Sequence, residues 1–378
     1  MVKVPVIAVG RISDPRLAEK VLAEGHADII ALGRPLLADP MYPMKAAAGA
    51  FSDIRKCIAC NVGCMSQIMV RGAISCIYNP EVAREREMKI VPAARPKKVM
   101  VVGGGPGGLE AARVAALRGH QVTLYEQSET LGGQVRLLAR VPKRGEYSNI
   151  YRWLGAQAHK AGVDIRLGRK VTPALVKREA PDAVVVATGA VPLTPATPGA
   201  RGRQVVTPQS ILTGETKVGD RVVILGGTLM GLDTADFISG KAGQTTVVEV
   251  LEAKARKPSP GSSPYTFLEN RLAMTGGLPD FWAAHYLFRR LAEHGVHIRF
   301  ATEVKDIRQG RIKIAYDGNE ETLGPFDTVV LALGRLPNNK LAEAIRGMVN
   351  EVYVIGDAVK PRGIMQAVHE GSEVARKI

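Results

Sequence analysis

Cys57, Cys60, Cys64 and Cys76 are the only cysteines in 378 residues, and the spacing C-x2-C-x3-C-x11-C gathers them into one twenty-residue stretch. Thiolates are soft anionic donors that suit iron–sulfur clusters or zinc, and three within a tight loop leave the fourth to close the site. Zinc is the rival, yet structural zinc sites commonly use two C-x2-C knuckles or a Cys/His mixture, and no His lies between Cys57 and Cys76. The spacing favours an iron–sulfur centre, although it is neither the bacterial nor the plant ferredoxin pattern. Disulfide pairing is the plainer alternative. With no evident signal peptide or apolar membrane-length run, clustered cysteines point instead to metal binding in a reducing, cytoplasmic setting.

Glycine-rich turns supply a second chemistry. A strand-like run from Lys98 enters a helical pattern through Gly103-x-Gly105-x-x-Gly108, and Glu126 ends the next strand. Such a turn brings a pyrophosphate close to the backbone at a helix N-terminus, while the acid accepts from ribose hydroxyls. The pattern recurs as Gly226-x-Thr228-x-x-Gly231, and Glu249 follows Gly226 by the same 23 residues that separate Glu126 from Gly103. Thr228 stands where the second glycine normally admits the pyrophosphate, which weakens this second site. Glu249 suits the free 2′-hydroxyl of NADH, and Arg256 leaves NADPH open.

The elements that must hold these groups follow from periodicity. Residues 4–10 and 27–33 read as buried parallel strands around a helical stretch at 14–24, and each strand ends in Gly-Arg, at Arg11 and Arg34. This unit resembles the last two strands of a flavin-binding (β/α)8 barrel, where phosphate sits at the strands' C-terminal ends; any βαβ piece is the plainer reading. Residues 36–56 read as helical, and 79–96 as a charged, proline-bearing connector. Leu131-Gly132-Gly133-Gln134, the Ala187-Thr188-Gly189 turn, its echo at Ala332-Leu333-Gly334, and Gly356-Asp357 follow in the order found in two-dinucleotide flavoprotein reductases. That likeness puts Gly356-Asp357 beside the ribityl chain and pyrophosphate of FAD.

The fold expected is α/β: the C-terminal end of a (β/α)8 FMN barrel at 1–50, then an iron–sulfur loop and linker at 51–96. Two Rossmann-like domains follow, an FAD domain at 97–205 and 323–378 with an NAD(P)H-type domain at 206–322 inserted in it. A chain with 46% hydrophobic residues has ample core for two or three domains. Net charge is +15, mostly dispersed, and aromatics are only 5%. That balance suits a solvated basic surface, anionic cofactors or acyl-CoA, and argues against a nucleic-acid or membrane partner.

Taken together, these segments resemble the family of 2,4-dienoyl-CoA reductase, 2-enoate reductase and trimethylamine dehydrogenase, over residues 4–378. The resemblance implies a [4Fe-4S] cluster on Cys57, Cys60, Cys64 and Cys76, and FMN contacts from Arg11, Gly33 and Arg34. It also implies an FAD site lined by Gly107, Glu126, Gln134, Arg144 and Val171. In the reductase branch electrons run from NAD(P)H through FAD, the cluster and FMN to an activated C=C bond. The amine dehydrogenase branch instead sends electrons outward to a flavoprotein, and a non-catalytic electron-transfer subunit is a further alternative.

A complete barrel takes roughly 250 residues, and far fewer precede the cysteines. The resemblance therefore implies a fragment, or a second subunit that supplies the remaining barrel, with homo-oligomerisation open. Two unpartnered parallel strands would be weakly held, so residues 1–45 are expected to be partnered or poorly ordered. The small-molecule substrate is undefined and no catalytic acid is assignable: His26 is near a strand start on the wrong barrel face, His120 precedes a strand of the FAD domain, and His285 and His294 lie in the inserted domain. His369 is expected to open the closing helix near the flavin, in a packing or capping role.

Overall fold

A computed structural model describes residues 3–69, 72–250 and 281–378; Arg256 lies outside them. The chain forms two compact units, one of Met1–Arg136, Glu146–Gly189 and Pro337–Ile378, the other of Leu137–Gly145 and Ala190–Leu336.

The first unit is built on a parallel sheet in the order Glu351–Val354, Ala183–Val186, Lys98–Val102, Gln121–Tyr125, Asp164–Arg166. Its middle strand, KVMVV, is apolar without alternation because helices and loops cover both faces of a parallel sheet. Val99 pairs with Val122 on one side and Ala183 on the other, so the first glycine turn emerges at the centre of the sheet. There Gly105 caps the helix Pro106–Leu117, with proline in its favoured first-turn place. The C-terminal helix Ile364–Lys377 lies so close to this helix that a Cβ on Gly371 would stand 2.2 Å from the Gly107 carbonyl oxygen. Ile58, Ile77 and Tyr78 of the cysteine loop are buried in the same core as Leu109, Ala112 and Leu154.

At the start of this unit, strands Ile7–Val9 and Ile29–Ala31 pair in parallel, Ile7 opposite Ile29. The helix Pro15–Ala23 joins them, and Asp14 caps it by accepting the Arg16 N–H. Val9 remains 74% exposed and Ile7 57%. The segment is tied to the cysteine loop through buried Asp39, whose Oδ2 accepts both the Arg55 N–H at 2.9 Å and Lys45 Nζ at 2.7 Å.

The second unit repeats the theme with the parallel order His297–Arg299, Gln244–Val248, Arg221–Leu225, Thr328–Leu331, Val205–Val206. An antiparallel trio, Glu303–Arg308, Arg311–Tyr316 and Asn319–Leu323, accompanies it. The expected domain limits at 205 and 323 differ from this arrangement: Val330 pairs with both Ile224 and Val206, which places Thr328–Leu331 and Val205–Val206 in the second sheet. Neither a two-residue strand such as Val205–Val206 nor a short, fully buried one such as Thr328–Leu331 carries a mark of which sheet it joins.

Candidate functional site

All four cysteines are free and half-buried. Ala59 and Asn61, on either side of Cys60, take left-handed φ values of 52° and 58°, a conformation non-glycine residues seldom adopt. The turn they make aims backbone N–H groups at sulfur. Ala59 donates to Cys57 Sγ at 3.4 Å, Val62 to Cys60, and Tyr78 and Asn79 to Cys76. The two arms of the loop meet at Gly63, whose carbonyl accepts the Ser75 N–H at 2.6 Å. A Cβ there would stand 2.7 Å from the Ser75 carbonyl, so only glycine lets the arms touch.

Burial pushes the thiols of Cys57, Cys60 and Cys76 up, neighbouring thiols add to the rise, and the N–H donors and the charges of Arg34 and Arg55 oppose it. Among the described residues, no three His, Cys, Asp or Glu side chains converge closely enough to hold a single metal ion. The donor set itself fits a cationic iron–sulfur core: four unpaired thiols within reach of one another's charge, with N–H donors already aimed at three of them.

Arg11, Arg34 and Cys57 line one small cleft, with Ser13, Pro35 and Ala59. Arg11 follows its strand at φ 51° and pairs with Glu146 at 2.8 Å. Arg34 follows Gly33 and donates to the side chain of Asn61. The residues read as FMN contacts thus stand beside the first cysteine.

The two glycine turns match residue by residue. Gly103 and Gly226 have φ of 114° and 108°, and a Cβ would lie 2.3 Å from Ala187 O in one and 2.4 Å from Ala332 O in the other. Gly108 and Gly231 each approach the first glycine's carbonyl to 2.0 Å, measured from an ideal Cβ. Gly105 (φ −73°, ψ 175°) and Thr228 (φ −65°, ψ 170°) share one backbone conformation, so Thr228 adds a side chain without altering the turn. Glu126 accepts the N–H groups of Gly104 and Ser128, both at 2.7 Å, and Glu249 accepts that of Gly227.

Around the first turn the structure gathers most residues read as FAD contacts. Gly132 donates to Gly104 O at 2.8 Å, and a Cβ on Gly133 would lie 3.2 Å from Gly105 Cα. Gln134 Nε2 is 3.7 Å from the corresponding point on Gly189. Gly107 and Gly356 both abut Ala367, while Asp357 Oδ1 accepts the Arg362 N–H at 3.0 Å. Val171 is buried in the core with Val102, which leads into the first glycine turn, and Tyr125, which precedes Glu126. Arg144 belongs to the second unit, where its Nε and Nη2 donate to Asp233 Oδ1 at 2.9 and 2.8 Å. Burial pushes the Asp233 carboxyl up to about 6; Arg144 opposes this and Asp236 adds to it.

His369 does not open its helix, which is capped by Gly363; it sits in the middle, with Nε2 2.9 Å from the Cys76 carbonyl oxygen. Sequence reasoning also missed the buried group of Arg55, Glu110, Arg113 and Trp153 beneath the loop. No local spacing could have found it, because its members meet only in the fold.

Two glycine-turn folds, each closed by a glutamate, with a four-cysteine loop built onto the first, define a two-dinucleotide flavin oxidoreductase. The chain belongs to the pyridine nucleotide-disulphide oxidoreductase family, which it matches over residues 97–373. Residues 1–52 match the NADH:flavin oxidoreductase / NADH oxidase family. The chain is 37% identical to a metal reductase of Desulforamulus reducens, over all of this chain and 58% of that protein. It is 32% identical to a cinnamate reductase of Clostridium sporogenes, over all of this chain and 54% of that one. Among solved structures, a 2-naphthoyl-CoA reductase superposes with a TM-score of 0.88 at 33% identity, over all of this chain and 54% of that one. These matches bear out the resemblance and the α/β fold expected from motif order. The chain spans little more than half the length of these relatives. Among the described residues, no helix is long and apolar enough to cross a membrane.

Proposed function

We propose that the chain is the cofactor-bearing part of a cytoplasmic reductase that passes electrons from NAD(P)H through FAD and a [4Fe-4S] cluster to FMN and an activated C=C bond. The observation that carries this reading is the shared cleft of Arg11, Arg34 and Cys57: two arginines expected to meet FMN line it together with a cysteine of the loop. When bound, FAD would split a hydride's electron pair and a cluster on the four cysteines would pass the electrons singly.

The chain's own residues divide the remaining work. The Gly103–Gly108 turn and the N-terminus of its helix would receive a pyrophosphate, and Glu126, held by the Gly104 and Ser128 N–H groups, would accept ribose hydroxyls on its remaining lone pairs. The cysteines release their protons on ligation, which their N–H donors favour. Arg11, Gly33 and Arg34 take the FMN phosphate once further barrel strands, from the same polypeptide or a partner subunit, complete the ring. The substrate is an enoate or enoyl-CoA, a class supported by the names of the cinnamate and 2-naphthoyl-CoA reductases.

Anaerobically purified protein should contain about four iron and four sulfide per chain together with FAD, and should bleach NADH or NADPH with a dye acceptor. Zinc without sulfide, or no bleaching with either nucleotide, would overturn the reading.

A further inference from the structure

Three charged side chains lie buried together beneath the cysteine loop: Arg55 is 8% exposed, Arg113 6% and Glu110 0%. Glu110 is fully engaged. Its two oxygens accept Arg113 Nε and Nη2, both at 2.8 Å, and Ser372 Oγ donates to it at 2.9 Å. One carboxylate against two guanidinium groups leaves one buried positive charge unmatched.

Arg55 carries that surplus. Among the described residues its Nε has no hydrogen-bond partner. Its guanidinium carbon sits 4.2 Å from the centre of the Trp153 ring. Trp153 is itself fixed, donating from Nε1 to Asp53 O at 3.0 Å and meeting Tyr78 edge-on at 6.2 Å. Asp39, which accepts the Arg55 backbone N–H, is already matched by Lys45 at 2.7 Å. A guanidinium held on an indole without a carboxylate is costly to bury unless an anion completes it. Arg55 stands two residues before Cys57, and the Trp153 ring it covers meets Tyr78, two residues after Cys76, in the core against which Cys60 and Cys76 pack.

We propose, building on the cluster assigned above, that Arg55 is the cluster's built-in counter-ion, and that its charge favours retention of the thiolate-ligated group and its reduced form. Reduction adds one electron to the cluster and moves no proton, so a fixed cation beside it raises the midpoint potential.

The test compares anaerobic wild-type protein with Arg55→Gln and Arg55→Lys, measuring iron and sulfide content and the midpoint potential by dithionite titration followed by EPR. Arg55→Gln should raise the oxidised-to-reduced ratio at a fixed potential about tenfold, a negative shift of about 59 mV for one electron, while Arg55→Lys stays near wild type. Loss of the cluster from Arg55→Gln but not from Arg55→Lys supports the same charge requirement. An unchanged midpoint in a fully loaded Arg55→Gln protein, or Lys behaving as Gln does, overturns the inference and leaves the cluster reading standing. Wild-type protein without iron and sulfide overturns both.

Discussion

At the scale of single residues, Thr228 and Gly63 each turn on the presence of a β-carbon. Gly105 and Thr228 share a backbone conformation, and a Cβ on Gly105 would meet nothing within 4 Å, so Thr228 restricts only what enters from outside the turn. Thr228→Gly should lower KM for the nicotinamide nucleotide by about threefold to tenfold, up to about 1.4 kcal/mol of binding, in dye-coupled steady-state assays. A KM that stays put would show that the nucleotide does not lie across this turn. Gly63→Ala acts in the opposite sense. Its methyl group meets the Ser75 backbone, and the clash should destabilise the loop by about 1–3 kcal/mol. Iron content well below wild type is the expected readout.

At the scale of elements, the helix Pro106–Leu117 and the C-terminal helix are joined through Glu110, Ser372 and Arg376, and Arg376 continues to Glu81 at 3.0 Å. Glu110→Ala leaves Arg113 buried without its partner and should cost about 3–5 kcal/mol, measured as a lower urea midpoint. The titrations of two buried carboxyls have opposite signs. Burial alone would raise Glu110, but the Arg113 and Arg55 charges and the Ser372 hydroxyl together outweigh it and hold the group below its ordinary value, so its stabilisation is present at neutral pH and lost in acid. Asp233 is raised, so the native state holds its proton longer than the unfolded chain and stability falls as pH rises from about 4 towards 6. The stability of wild type relative to Asp233→Asn should therefore decline over that interval in urea unfolding. The glycine turns, with Glu126 and Glu249, were legible in the sequence because each is made by neighbours along the chain. The Arg55–Glu110–Arg113–Trp153 group, the His369 contact with Cys76 and the Arg144–Asp233 pair were not, since each joins segments whose approach only the tertiary fold decides.

At the scale of the whole molecule, a net charge of +15 should be felt by acceptors before they arrive. Ferricyanide reduction by the NAD(P)H-treated protein should slow several-fold as salt rises from about 0.02 to 0.3 M, as expected of steered encounter. An uncharged quinone acceptor should be nearly indifferent, and equal salt sensitivity for both would rule out steering. The cysteine loop carries its own measure of length. Its arms are clasped, peptide against peptide, at Gly63 and Ser75, with N–H groups turned towards sulfur. Gly63 stands one residue before Cys64 and Ser75 one before Cys76, so the backbone clasp itself sets the last two cysteines level across the loop, whatever the length of chain between them.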